Sequence, residues 1–186
     1  MREPSTIDDL IALYEAKGAL HYGEGVSQLD HALQCAALAR GDDVNDALMV
    51  AALFHDVGHL VPDVHDPEGL GIDRDDDRHE ALGARILAPL FGASVAQPVA
   101  LHVTAKRWLC TREPQYYQLL SHASQATLIA QGGLLSDEEC ERFEAHPGFN
   151  DAIALRTWDD AGKVDGLRIG ELRDWVPLVR SVAATR

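Results

Sequence analysis

The sequence predicts an all-α protein folded as a single helical bundle, one domain spanning 1-186, on three observations. Apolar residues recur three and four apart in one segment after another, as the buried stripe of a helix requires. Ser, Thr, Asn or Asp opens most of these segments, and glycine follows several of them, which is the usual punctuation of helix ends. No segment shows a convincing apolar-polar alternation of the kind that marks a half-buried strand. The chain has 186 residues, 46% of them hydrophobic, enough for one sizeable core.

The elements follow in order. Ser5 or Thr6 caps a first helix with Ile7, Leu10, Ile11 and Tyr14 on one face, and Gly18 begins its end. His21 to Gly25 is short, polar and glycine-punctuated, and reads as a loop. Ser27 caps a second helix whose Leu29, Ala32, Leu33 and Ala36 accompany His31. Gly41 to Asn45 is a turn. Ala47 to Phe54 is apolar nearly all round, as a central buried helix is. Val61 to Asp77 is rich in Asp, Pro and Gly, a loop long enough to suggest function. A helix from about Asp77 to Leu90 carries His79, Leu82, Ile86 and Leu90. Ser94 caps the next, which runs through His102 toward Trp108 with Pro98 near its first turn. Tyr116 to Gln131 reads as one helix closed by Gly132 and Gly133. Ser136 to Glu139 is a capping box, Asn150 caps a helix reaching Asp159, and the last helix starts at Glu171 with a kink expected near Pro177.

Composition removes several classes of function. Thirty acidic residues against 16 basic ones give a net charge of -14. With no Lys/Arg-rich patch, neither nucleic acid nor an anionic membrane surface is an expected partner. An anionic small-molecule substrate would have to be met by a metal or by a few placed cations. Cys35, Cys110 and Cys140 are odd in number and lack CxxC spacing, so a reducing cytoplasm without a disulfide framework is expected. The N-terminus lacks a signal peptide's apolar core, and no stretch is apolar enough to span a bilayer, so a cytoplasmic protein is expected. The oligomeric state is open.

The chemistry is concentrated in His31, His55, Asp56, His79 and His102, which sit beside small or apolar residues on four separate predicted helices. Any one buried histidine can be a satisfied core residue. Four of them with an adjacent carboxylate are harder to satisfy separately, because an unpaired buried imidazole is costly. One shared metal centre satisfies all of them. A sixth donor is available in Asp159, which ends a predicted helix, with Asp160 as its neighbouring candidate. Six donors are too many for one open site and suit two metals bridged by a carboxylate, Asp56.

The order His31, His55-Asp56, Asp159 resembles the pattern of the HD-domain superfamily, an all-α fold, and His79 and His102 match its dinuclear branches. Further strings resemble the mixed-valent diiron oxygenases that cleave phosphonate carbon–phosphorus bonds. They are Tyr22 and Glu24 before Gln28-Leu-Asp-His31, then His55-Asp-Val-Gly-His59, and His102-Val-Thr-Ala-Lys106-Arg-Trp108. Ser121-His-Ala-Ser124, Gln131-Gly-Gly133 and Arg156-Thr-Trp-Asp159 complete the set. Tyr22 and Glu24 are separated by a single glycine, one residue fewer than the family pattern. The resemblance covers about Tyr22 to Trp158.

The resemblance implies an Fe(II)/Fe(III) pair as cofactor, dioxygen as cosubstrate and a small organophosphonate as substrate. Its substrate would be a 1-hydroxy-2-(amino or trimethylamino)ethylphosphonate, cleaved to phosphate and glycine or glycine betaine. It implies metal ligation by His31, His55, Asp56, His79, His102 and Asp159. Lys106 and His59 would meet the phosphonate and act in catalysis, and Ser124, Gln131 and Arg156 would add polar contacts. Tyr22 would hold a metal position until substrate arrives, and Glu24 would face the substrate's cationic nitrogen. The alternative enzyme is a metal-dependent HD phosphohydrolase acting on a nucleotide or other phosphate ester, using the same frame to activate water. The non-enzyme alternative is a ligand-binding regulatory module, which would have no need of a complete ligand set.

Overall fold

A computed structural model describes residues 3–21, 25–61, 78–113 and 115–184. Tyr22 and Glu24, and nearly all of the expected 61–77 loop, lie outside the described residues. Eleven helices and no strand occur among the described residues: α1 (Ile7–Lys17), α2 (Gln28–Gly41), α3 (Asp46–Phe54), α4 (Val57–Leu60), α5 (His79–Phe91) and α6 (Ala93–Arg112), then α7 (Tyr116–Leu119), α8 (His122–Ala130), α9 (Asp137–Glu144), α10 (Phe149–Ala161) and α11 (Leu172–Ala184). No helix among them is long and apolar enough to cross a membrane.

The core is organised around α3. Asn45 caps it through Leu48 N–H, and Leu48 and Val50 to Phe54 are all buried. Helices α2, α6, α10 and α11 all pack against it. Phe54 sits edge-on to Tyr14 of α1 at 5.3 Å and stacks on Phe91 of α5 at 6.2 Å, so one ring ties three helices together. A second layer extends away from this core. Ala105 of α6, Phe143 of α9 and Ala152 of α10 form one small cluster. Cys110, Leu120 and Leu128 form another, which holds α7 and α8 against α6.

Several expected boundaries shift for physical reasons. Thr6, not Ser5, caps α1, because Asp9 closes a reciprocal capping box with it. The expected helix from Tyr116 to Gln131 is two helices. Leu120 is extended at φ -66°, ψ 146°, and Ser121 then caps α8 through Ser124 N–H. Its glycine stop is as expected: Gly132 and Gly133 both have positive φ, and Gly133 N–H closes onto Leu128 O at 2.8 Å. Gly92, not Ser94, precedes α6, which places Pro98 in its second turn. Gly148, not Asn150, precedes α10. The kink expected near Pro177 does not divide α11, which is one helix from Leu172 to Ala184 with Pro177 inside it.

Two close approaches bring helix ends to the centre of the bundle. After α3 the chain turns at His55 and Asp56 and re-enters a helix at Val57, so α4 departs in a new direction. Gly58 of α4 touches the start of α5: a Cβ there would lie 2.1 Å from His79 O. Gly162, just after α10, touches α2, and a Cβ there would lie 2.5 Å from Cys35 Sγ. Phe54→Ala should destabilise the protein by about 3–5 kcal/mol in urea unfolding, because it opens a cavity under three helices. A loss below about 1 kcal/mol would show that α1 and α5 do not depend on that ring.

Candidate metal centre

Six side chains from five segments converge where α3 ends. His31 comes from the first turn of α2, His55 and Asp56 from the turn after α3, and His79 from the first position of α5. His102 comes from the middle of α6 and Asp159 from the last turn of α10. All are buried except Asp56, which is half-buried.

Their orientation is set by backbone carbonyls. His31 Nδ1 lies 2.9 Å from Gly162 O, His55 Nδ1 2.9 Å from Ala52 O, and His102 Nδ1 2.7 Å from Val99 O. A carbonyl oxygen only accepts, so each Nδ1 must carry the proton and donate it. A ring that is otherwise neutral is thereby left with its lone pair on Nε2, and the Nε2 atoms of His31, His55 and His102 all lie within 4 Å of Asp56. His31 Nε2 and His55 Nε2 are 3.2 Å apart, and His79 Nε2 and His102 Nε2 are 3.0 Å apart. Two acceptor lone pairs facing each other at such a distance repel unless a cation or a proton sits beside them.

The carboxylates complete two groups that share one member. Asp159 Oδ1 is 3.4 Å from His31 Nε2 and 3.7 Å from His55 Nε2. Asp56 Oδ2 is 3.5 Å from His31 Nε2, while its Oδ1 is 3.4 Å from His55 Nε2, 3.7 Å from His79 Nε2 and 3.9 Å from His102 Nε2. Asp56 therefore stands between the two histidine pairs, and Asp159 belongs to one of them. Burial opposes ionisation of both acids, but His55 and His31 hold Asp56 well below the usual carboxylate range, and Arg156 and Lys163 do so for Asp159. Burial also opposes charge on His31, yet Cys35, Asp159 and Asp56 raise its pKa well above the ordinary value. Burial pushes the Cys35 thiol itself up, so it is protonated at neutral pH and the two carboxylates carry the effect. Without a metal, a proton on His31 is the cheapest cation the cluster can take. His102 is pushed the other way, first by burial and then by His79 and His55.

Other buried donors lie around these six. His59 is half-buried and stacks on His79 with ring centroids 4.0 Å apart. Asp56, His59 and His79 offer atoms within 4.8 Å of one another, as do His31, Cys35 and His55. Cys35 Sγ, however, already donates to Trp158 O at 3.4 Å and lies 3.6 Å from the His31 nitrogen that faces away from the centre. That makes it packing behind His31. Glu80, next to His79, has a buried Oε2 with no hydrogen-bond partner.

A cationic group adjoins the cluster on the Asp159 side. Arg156 Nη1 is 2.7 Å from Asp159 Oδ2. Its other nitrogens reach Asp160 and Tyr116, and Nη2 lies 3.4 Å from Ser124 Oγ. Lys106 is 2% exposed, and its Nζ donates to Thr127 Oγ1 at 2.9 Å and lies 3.5 Å from Ser124 O. Lys163, which the sequence reading passed over, is 3.1 Å from Asp159 Oδ1 and 3.3 Å from Ser124 Oγ. Gln131, at the end of α8, is buried with its Oε1 unpartnered. The fold thus places Lys106, Ser124 and Arg156 together beside Asp159, while His59 stacks on His79.

A helical domain that gathers a histidine, an adjacent His-Asp pair and a late aspartate from separate helices has the form of an HD domain, and residues 29–130 match the model of that family. Hydroxymethylphosphonate dioxygenase of Gimesia maris is 42% identical over 175 residues, covering 94% of this chain and 87% of that protein. The [1-hydroxy-2-(trimethylamino)ethyl]phosphonate dioxygenase of Leisingera caerulea is 34% identical over 171 residues, covering 90% and 85%. The chain belongs to the HD-domain phosphonate dioxygenases and is an oxygenase of that class.

Lys106 makes the site sensitive to pH. Burial, and next the Arg156 charge, lower its ammonium pKa from 10.5 to about 8, with Asp159 pulling the other way. Its folded value lies below the unfolded one, so between those values the unfolded chain binds more protons, and this group's contribution to stability grows as pH rises. An anion held by the Lys106 ammonium would show the opposite sign, bound more tightly below the folded pKa than above it. The Kd for inorganic phosphate should therefore rise above about pH 8, by up to about tenfold per pH unit, and Lys106→Gln should flatten that rise. Calorimetric titration across this range measures it; an identical slope in the variant would remove Lys106 from the anion site.

Proposed function

We propose that the protein uses dioxygen to cleave the carbon–phosphorus bond of a 1-hydroxyalkylphosphonate, releasing phosphate and a carboxylate. The observation that carries this reading is the pairing of a double histidine–carboxylate cluster with a buried cationic group on one side of it. An HD hydrolase with one metal would be served by His31, His55, Asp56 and Asp159. His79 and His102, aimed at the same Asp56, fit a second ion.

The donor set fits iron: imidazole nitrogens and carboxylate oxygens suit a borderline divalent or trivalent ion. His31, His55, Asp159 and Asp56 would hold one ion, and Asp56, His79 and His102 the other. When bound, an Fe(II)/Fe(III) pair would supply Lewis acidity toward the substrate's oxygens and the redox chemistry that dioxygen requires. The carbonyls of Gly162, Ala52 and Val99 keep three imidazoles in the tautomer that ligation needs. Arg156 holds Asp159 through Oδ2 and leaves Oδ1 facing the histidines. Lys106 and the Ser124 hydroxyl bind the phosphonate oxygens, and burial of Lys106 strengthens its attraction for them. His59 lies beside His79 as a further donor to the anion.

The finer substrate is inferred from the relatives. The relative named for hydroxymethylphosphonate is the more similar of the two, 42% against 34%, which favours a small, uncharged group at C1. On that substrate the products would be formate and phosphate, with both oxygens of one dioxygen retained. The 34% identical relative supports a second reading, a substrate with a trimethylated or primary amine, and Glu24 is the acidic residue proposed to meet it. Tyr22 is proposed to hold a position on one of the ions until substrate arrives.

Iron-loaded protein in air should release phosphate from hydroxymethylphosphonate, with one dioxygen consumed per phosphate. Equal release under strict anaerobiosis would indicate hydrolysis instead. Comparison of kcat/KM for hydroxymethylphosphonate and for the amino and trimethylamino 1-hydroxyethylphosphonates decides the substituent. Glu24→Gln should cost about tenfold to a hundredfold on the cationic substrates alone, the size of one charge-assisted contact. An equal loss on hydroxymethylphosphonate would show that Glu24 does not read the cation.

A further inference from the structure

Lys163 lies two residues beyond the end of α10, past the Gly162 cap, in a segment without regular structure. Its side chain is nonetheless only 16% exposed. Burying a lysine there is costly unless the ammonium is placed against something. The structure places it between Asp159 Oδ1, at 3.1 Å, and Ser124 Oγ, at 3.3 Å. Lys106 approaches Ser124 from α6 through the Ser124 carbonyl, and Arg156 approaches its hydroxyl from α10. Three cations from different segments therefore surround one serine.

They are not equivalent. Arg156 is engaged by two carboxylates, Asp159 through Nη1 and Asp160 through Nη2 and Nε, and its Nε also meets Tyr116 OH. Its geometry is that of a group holding the helix end and orienting Asp159. Lys163 instead shares Asp159 Oδ1, the oxygen that also faces His31 Nε2 and His55 Nε2. That oxygen cannot serve a metal ion and an ammonium equally well, because like charges would meet across it. The Lys163 ammonium also reaches the Ser124 hydroxyl, and the Lys106 ammonium lies 3.5 Å from the carbonyl of the same residue.

We propose that Lys163 is a substrate-positioning residue, its ammonium and that of Lys106 clamping the phosphonate oxygens across Ser124, while Arg156 holds Asp159 and Asp160. This rests on the phosphonate reading and adds to it a residue and a division of labour. Two ammonium groups are mobile point charges with rotatable donors, which suit a tetrahedral dianion that changes from phosphonate to phosphate during turnover. A planar carboxylate of lower charge would gain less from them.

The test uses iron-loaded wild type, Lys163→Gln and Lys163→Arg, with inorganic phosphate as the probe and hydroxymethylphosphonate as the substrate. Lys163→Gln should weaken phosphate binding and raise KM by about tenfold to a hundredfold, with a smaller change in kcat. Iron content and the unfolding midpoint should stay at the wild-type level. Lys163→Arg should recover part of the affinity, because it keeps the charge. Unchanged phosphate affinity in Lys163→Gln would overturn the proposal. So would loss of iron in that variant with normal phosphate affinity per iron-loaded site, since Lys163 would then serve Asp159 alone. Wild type that cleaves no 1-hydroxyphosphonate would defeat the functional reading, while the phosphate-binding comparison would still decide the clamp.

Discussion

The Nε2 atoms of His31 and His55 face each other across 3.2 Å while both rings donate Nδ1–H to carbonyls, and much of this structure follows from keeping them there. With both rings neutral, the arrangement opposes two lone pairs in a buried site. Two ionised carboxylates stand around them, and the Nε2 atoms of His79 and His102 lie 3.0 Å apart beside the same Asp56. Such a cluster is unfavourable in isolation and favourable around shared cations. The bundle supplies the stability that holds it open: α3 is buried from Val50 to Phe54, and His55 and Asp56 follow directly from that buried end.

The supporting contacts come from helix ends rather than helix faces. Gly162 lets α10 approach α2 closely enough for its carbonyl to orient His31, and the same helix delivers Asp159 to that ring. Gly58 lets α4 meet the first residue of α5, which is His79. Ligand geometry and helix packing are thus one problem here. The same economy governs charge. A chain of net charge -14 gathers Lys106, Arg156 and Lys163 around Ser124, beside the most buried carboxylate among the described residues. Its overall field repels anions, and this one group of side chains attracts them.

Most of this was legible in the residues. The helical class, the buried α3 and the convergence of His31, His55, Asp56, His79, His102 and Asp159 follow from period, caps and the cost of unpaired buried histidines. What was missed depends on backbone direction. A leucine at 120 gives no local sign that it will be extended, so α7 and α8 read as one helix until Ser121 is recognised as a cap in its own right. Lys163 follows a glycine beyond a helix end, where spacing rules for helix faces no longer apply, and only the path of the chain brings it back to Asp159. Arg156 was legible as a partner of either the anion or the ligand, and its contacts with Asp159 and Asp160 favour the second role.

The claim on which the rest depends is that the two histidine pairs form two metal positions sharing Asp56. Anaerobic equilibrium dialysis against Fe(II), with iron counted per chain and followed by Mössbauer spectroscopy after limited oxidation, tests it most directly. The account expects two irons per wild-type chain, a coupled Fe(II)/Fe(III) signal, and loss of that coupled signal when His79 or His102 is replaced by Ala. One iron per wild-type chain, unchanged in both variants, would contradict it.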